Sequence, residues 1–171
     1  MSEAAPAAGE EIVLRPFAPG DQAALRRLVL DGLGDHWGTI DETLNPDLDD
    51  ILGWYGPRGG RVVVAERGGW LVGGGILYRD DVGTGRLARM TVAKGLRGQG
   101  LGRRLVAYLV EVARRRGDDA VVCETTDTWQ DAIGLYLRCG FREVDRRDGD
   151  IHFRLDLVPN LAPEPALDRP R

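Results

Sequence analysis

The stretch Arg97-Gly98-Gln99-Gly100-Leu101-Gly102 has the residue types and spacing to bind an anion. Its alternating glycines let the backbone turn sharply and bring N–H groups close to a ligand. A strand-like run, residues 86–92, precedes it, and a strongly amphipathic run follows it. The loop therefore opens a helix, where unpaired N–H groups and the helix dipole both favour negative charge. Arg97 would add a charge-assisted contact. The combination suits a pyrophosphate. It lacks the G-K-[ST] ending of an NTPase P-loop and the G-x-G-x-x-G order of a dinucleotide fold. The remaining alternative is a glycine-rich connection without a ligand, which would leave destabilising glycines unused.

Other chemistry is sparse. The chain has two cysteines, Cys123 and Cys139, and two histidines, His36 and His152, with no short ligand spacing between them. No metal site is expected, and both cysteines read as small buried hydrophobes. A net charge of −4 argues against a general nucleic-acid binder. No apolar run approaches the roughly 20 residues that cross a bilayer. The start, M-S-E-A-A-P-A-A-G-E-E, has neither a basic nor an apolar block. It is not read as a secretory signal, so a cytoplasmic location is expected.

The elements that must position the loop follow from patterning. Among 171 residues, 43% hydrophobic and 29% charged, one globular domain is expected over residues 11–158. Residues 1–10 and the Pro-rich tail, residues 159–171, are expected to be disordered. Residues 12–16 read as a strand. Residues 19–33 read as a helix with Ala23, Leu25, Leu28 and Val29 as its apolar stripe. Asn45-Pro46 reads as a cap and first turn of a second helix, with Asp47, Asp49 and Asp50 favoured by its dipole. Runs 61–66 and 70–78 flank Arg67-Gly68-Gly69 as an antiparallel hairpin. A helix to about Arg116 stops at Gly117, then a short apolar strand spans 120–125. A further helix covers 129–138, and a terminal hairpin turns around Arg147-Asp148-Gly149. The fold class is α/β: a central mixed, mostly antiparallel sheet with a right-handed parallel strand–helix–strand crossover.

With its preceding strand Met90-Thr91-Val92, the loop resembles the cofactor motif [Q/R]-x-x-G-x-[G/A] of the GNAT N-acetyltransferase family, matched by Arg97, Gly100 and Gly102. A second segment, Ala132-Ile133, Leu135-Tyr136 and Gly140-Phe141, resembles that family's A-I-x-L-Y-x-x-x-G-F, in the right order and spacing. The likeness spans residues 12–157. It implies a sheet that splays to bind acetyl-CoA as co-substrate. Backbone groups of Met90, Thr91 and Val92 would meet the pantetheine arm. Gly98, Gln99, Gly100, Leu101, Gly102 and Arg103 would join Arg97 around the pyrophosphate. Tyr136 would protonate the departing thiolate, and the N–H of Val92 would hold the oxyanion.

Two positions depart from the family. Many relatives carry a glutamate base early in the strand, where this chain has Arg86. Glu124, at the end of the next strand, is the first substitute and Asp127 the second. Relatives often place Asn where Trp129 stands, so Trp129 would cover the acetyl site or stack on an acceptor. The resemblance places the acceptor between the first helices and the terminal hairpin. His36, Trp37, Asp41, Glu42, Asp47, Asp49 and Asp50 lie there, either as an acidic mouth for a cation or as helix-capping and solvated acids. Trp54 and Tyr55 would be core or pocket lining. The expected activity is direct acetyl transfer to a primary amine of a small molecule. A CoA-binding regulatory module without catalysis and a peptide or protein N-acetyltransferase are the alternatives. A homodimer is a common arrangement in the family.

Overall fold

In the computed structural model, residues 9–158 are described. The expectations of disorder therefore lie outside the described residues, Gly9 and Glu10 excepted. The sheet has seven strands in the order β1-β2-β3-β4-β5-β7-β6. They are β1 (Val13–Pro16), β2 (Arg61–Arg67), β3 (Trp70–Asp81), β4 (Thr84–Val92), β5 (Ala120–Thr126), β6 (Arg142–Arg147) and β7 (Asp150–Asp156). The helices are α1 (Gln22–Trp37), α2 (Ile51–Tyr55), α3 (Leu101–Arg115) and α4 (Gln130–Arg138). Only β4 and β5 pair in parallel, as the crossover through α3 requires.

Two hairpins are set by their turn residues. Gly68 and Gly69 have φ of 57° and 82°, and Asp148 and Gly149 have 53° and 83°. Both turns thus have consecutive positive φ, the geometry that matches strand twist in a two-residue hairpin. On one sheet face α3 buries Leu105, Leu109 and Ala113 against Val63, Leu77 and Leu87, and α4 adds Tyr136 beside Phe141 and Phe153. On the other face α1 and α2 bury Leu25, Val29 and Ile51 against Val64 and Ile76. Each buried Leu, Val, Ile or Phe among them contributes about 1.5–3 kcal/mol.

The N-terminal helices differ from the sequence pattern. Helix α1 continues to Trp37 and ends at Gly38, φ 76°. Its last turns break the apolar period because Gly32 lies against Thr91, whose Oγ1 would sit 3.2 Å from a Cβ added there. Ala23 is exposed, and the buried stripe is Leu25, Val29 and Leu30. Asn45-Pro46 opens only a 3-10 turn, Pro46–Leu48. Asp50 caps α2 instead, accepting from Gly53 N–H at 2.8 Å.

Strand β4 carries the feature that opens the sheet. Ala88 pairs with Ile76 and Thr91 with Gly74, so Arg89 and Met90 together oppose Gly75. This is a β-bulge, which bends its strand. Arg89 holds φ at 53°, a left-handed conformation costing a non-glycine residue about 1–2 kcal/mol. Its guanidinium offsets that by binding Asp47 through two bonds, 2.7 and 2.9 Å, and Asn45 at 3.0 Å. Tyr55 donates to the same carboxylate at 2.6 Å. Removing either partner would strand the other's charge at a cost of about 3–5 kcal/mol, so the pair pins the bulge in this form. Gly75 leaves the room that Met90 occupies, since a Cβ there would collide with the Met90 sulfur. Strand β4 then pairs with β5 only from Thr84–Arg86 before the two part.

Candidate active site

Beyond Arg86 the gap between β4 and β5 holds two adjoining cavities. The larger, about 730 Å³, is lined by Met90, Val92, Gly98, Gly100, Arg103 and Arg138 among others. The smaller, about 260 Å³, is lined by Val29, Leu33, Arg89, Glu124, Trp129 and Tyr136 among others. His36, Met90, Thr91, Val92, Arg97, Ala132 and Leu135 border both.

The glycine loop takes the form its sequence requires. Gly98 and Gly100 have φ of 73° and 89°. The first loop or helix N–H after Arg97 to find a backbone acceptor is that of Arg104, bonded to Gly100 O at 3.2 Å. Residues 98–103 thus present unpaired N–H groups at the start of α3. Gln99 braces the loop from its side chain, donating to Gly95 O at 3.1 Å. Leu101 is buried under the loop, and Gly102 packs on Leu135 of α4. Arg103 and Arg138 reach the same cavity, and Asp131, in the first turn of α4, also lines it.

The end of β4 offers its backbone to the gap. Ala93 N–H donates to Val72 O at 2.9 Å. By the alternation of an antiparallel ladder, the N–H and C=O of Val92 point away from β3. Arg97 Nε caps that carbonyl at 3.0 Å, and its Nη2 meets Asp35 of α1 at 2.8 Å. The side chain of Arg97 therefore ties loop, strand and helix together. Thr91 turns its hydroxyl to Leu28 O at 3.2 Å, and by the same alternation its backbone groups face Gly74 of β3.

Tyr136 and Glu124 face the smaller cavity together. Tyr136 is 6% exposed, its ring set against Phe141 and Phe153. Burial pushes its phenol well above the usual range, with lesser contributions from Cys123 and Cys139. Glu124 is half-exposed, with Arg86 Nη1 at 3.5 Å and His152 Nδ1 at 3.3 Å. Asp127 lies outside both cavities. Arg86 binds Asp80 through two bonds, 2.8 and 3.0 Å. Burial raises both the Cys123 and Cys139 thiols, so neither is a thiolate at neutral pH.

The residues of the first helices do not make an acidic mouth. Asp41 caps Thr43, Glu42 and Asp49 pair with Arg26, and Asp47 is buried on Arg89. Tyr55 is core and Trp54 is 43% exposed, on neither cavity. His36 instead stacks on Trp129, centroids 4.1 Å apart at 16°, with Trp37 tilted on the same ring at 5.0 Å. This aromatic cluster joins α1 to the start of α4. Its partners lie far apart in sequence, as do Arg89 and Asp47, and neither pairing has a local signal. Arg138 was also missed, because only the packing of α4 beside the loop brings it to the cavity. Among the described residues no group of His, Cys, Asp and Glu is suited to a metal, and no helix is long and apolar enough to cross a membrane.

A sheet splayed beside a glycine-rich helix start, with a tyrosine and a carboxylate at the split, is the frame of an N-acetyltransferase. The chain belongs to the acetyltransferase (GNAT) family, whose model matches residues 24–141. It is 30% identical over 139 residues to the uncharacterized N-acetyltransferase YjgM of Escherichia coli, covering 78% of this chain and 83% of that one. It is 36% identical over 128 residues to rat N-acetyltransferase 8F1, covering 71% of this chain and only 58% of that one. The PaiA N-acetyltransferase of Thermoplasma acidophilum, solved in complex with coenzyme A, superposes with a TM-score of 0.75 at 13% identity, over 86% of this chain and 99% of that one. The protein is thus an acyltransferase of the N-acetyltransferase type, with the single mixed-sheet domain its sequence implies.

Proposed function

We propose that the chain moves an acetyl group from acetyl-CoA directly to the primary amine of a small molecule. The observation that carries this reading is one arrangement. Unpaired N–H groups of residues 98–103, the outward backbone of Val92, and the Tyr136–Glu124 pair all border one divided gap. The neighbouring Thermoplasma fold, solved with coenzyme A, supports the same cofactor.

The cofactor supplies a thioester, whose carbonyl carbon is open to an amine. The backbone at Gly98, Gly100 and Gly102, which line the larger cavity, cradles the pyrophosphate, Gln99 and Leu101 between them shape the loop without lining the cavity, and Arg103 and Arg138 neutralise the charge. Arg97 acts from behind, fixing the loop against Val92 and Asp35. Met90 and Val92 align the arm through their main chain, as an edge strand receives another, and Thr91 between them anchors the strand to β3. The N–H of Val92 donates to the oxygen on which negative charge builds. Glu124 takes a proton from the acceptor ammonium, directly or through a water. Tyr136, kept neutral by burial, gives its proton to the departing sulfur. Cys123 is buried and Cys139 partly so, and burial raises both thiols, so the transfer is direct rather than through a covalent enzyme intermediate.

Acetyl-CoA incubated with small amines and with short peptides, read by thiol release beside calorimetric CoA binding, tests the reading. Amine-dependent release is expected. Tight CoA binding without release would make the chain a regulatory module, and release with peptides alone would make it a peptide N-acetyltransferase.

A further inference from the structure

The smaller cavity has a charge pattern that selects among amines. Two arginines line it, and each is already bonded to a carboxylate: Arg89 to Asp47, and Arg97 to Asp35. Asn45 and the Val92 carbonyl take further donors of these same side chains. Arg86, at the edge, is held by Asp80 through two bonds. His36, the other basic group of the lining, lies flat on the Trp129 ring. Glu124 is the opposite case, half-exposed and held only by looser contacts of 3.3 and 3.5 Å. A ligand in this cavity meets an available carboxylate and no free guanidinium among the described residues.

The rest of the wall is apolar. Val29, Leu33 and Leu87 face the cavity, and Trp129, backed by His36 and Trp37, closes its outer side. At about 260 Å³ it lies below the roughly 300–1,000 Å³ of a drug-sized pocket. An aryl group packs well on such a wall, and an ammonium gains from both the carboxylate and a tryptophan face. A carboxylate beside the reacting nitrogen would find no cation and would be repelled by Glu124.

We propose, on the footing of the transferase reading above, that the acceptor is a small amine with an apolar or aromatic body and no α-carboxylate. Phenethylamine, phenylalanine and phenylalaninamide form a matched set, assayed at about pH 8, where an ordinary imidazole is neutral. With kcat/KM expressed per free amine, phenethylamine and phenylalaninamide should lie within a few-fold of each other. Phenylalanine should fall at least about tenfold below both. Asp35→Asn loosens Arg97 toward a carboxylate and should shrink that gap several-fold, read as a ratio of kcat/KM values at saturating acetyl-CoA because Arg97 also braces the loop of the larger cavity. Phenylalanine turned over as well as phenethylamine would overturn the proposal, as would a gap unmoved in Asp35→Asn. No release with any amine would overturn the transferase reading along with it.

Discussion

Arg103 and Arg138 in the larger cavity have no ion-pair partner among the described residues, whereas both arginines lining the smaller one are bonded to carboxylates. The same residue type thus does opposite work a few ångströms apart. Free guanidiniums and unpaired N–H groups leave positive potential for a polyanion. Neutralised guanidiniums act as scaffold: Arg89 locks the bulge that parts β4 from β5, and Arg97 ties the loop to α1. The lesson is that a charged side chain at a site has to be read together with its partners. Counting arginines along the gap would assign anion binding to both cavities.

In the proposed mechanism the sharpest way to separate the two is Tyr136→Phe. It removes a proton donor from the smaller cavity and touches nothing in the larger. Turnover should fall about 10²–10⁴-fold while the dissociation constant for CoA stays put. The pH dependence carries the same signature. Because burial raises the Tyr136 phenol well above its usual value, the donor stays protonated through the neutral and mildly alkaline range. Wild-type kcat should therefore show no loss assignable to this acid below about pH 10. A basic limb near pH 8 that persists in Tyr136→Phe belongs to another group, whereas one that vanishes there would mean the phenol titrates low in spite of its burial.

A smaller effect probes the other side. Arg103→Ala and Arg138→Ala should each weaken CoA about ten- to hundredfold, since a charge-assisted bond contributes about 1.5–3 kcal/mol. The KM for the amine should hardly move. Titration calorimetry with CoA, beside steady-state kinetics with the amine varied, reads both. If either substitution raised the amine KM and spared CoA, the division between the cavities would fail.

How much of this the sequence discloses depends on how local each cause is. The loop is legible because glycines at 98, 100 and 102 and the helix after them lie within a few residues. The hairpin at Gly68-Gly69 is legible for the same reason. Tyr136 and Glu124 are found because strand and helix patterns, with the family motif, place them at one end of the sheet. The bulge is not legible: its stabilising pair, Arg89 and Asp47, spans 42 positions, and Asp47 by itself looks like a helix-capping acid. Arg97 misleads in a related way. Its position beside the glycines suggests phosphate contact, and the sequence does not show that Asp35, 62 residues earlier, also binds its guanidinium. The end of α1 is hidden because Gly32, packed closely on Thr91, and Gly34 break the apolar period.

Ionic strength gives the mildest test and separates the cavities without a substitution. Between about 0.1 and 1 M salt the screening length falls from about 10 to about 3 Å. The larger cavity pairs exposed arginines with a polyanion, so CoA affinity should drop several-fold over that range. The arginines of the smaller cavity are bonded at 2.7–2.8 Å to carboxylates only 7% and 29% exposed, and salt reaches such contacts poorly. The bulge and loop they hold should keep their shape. The acceptor meets one half-exposed carboxylate, Glu124, with one ammonium, so its KM should rise along a shallower slope than the CoA constant. Equal slopes would mean that the amine is steered by more charge than Glu124 supplies.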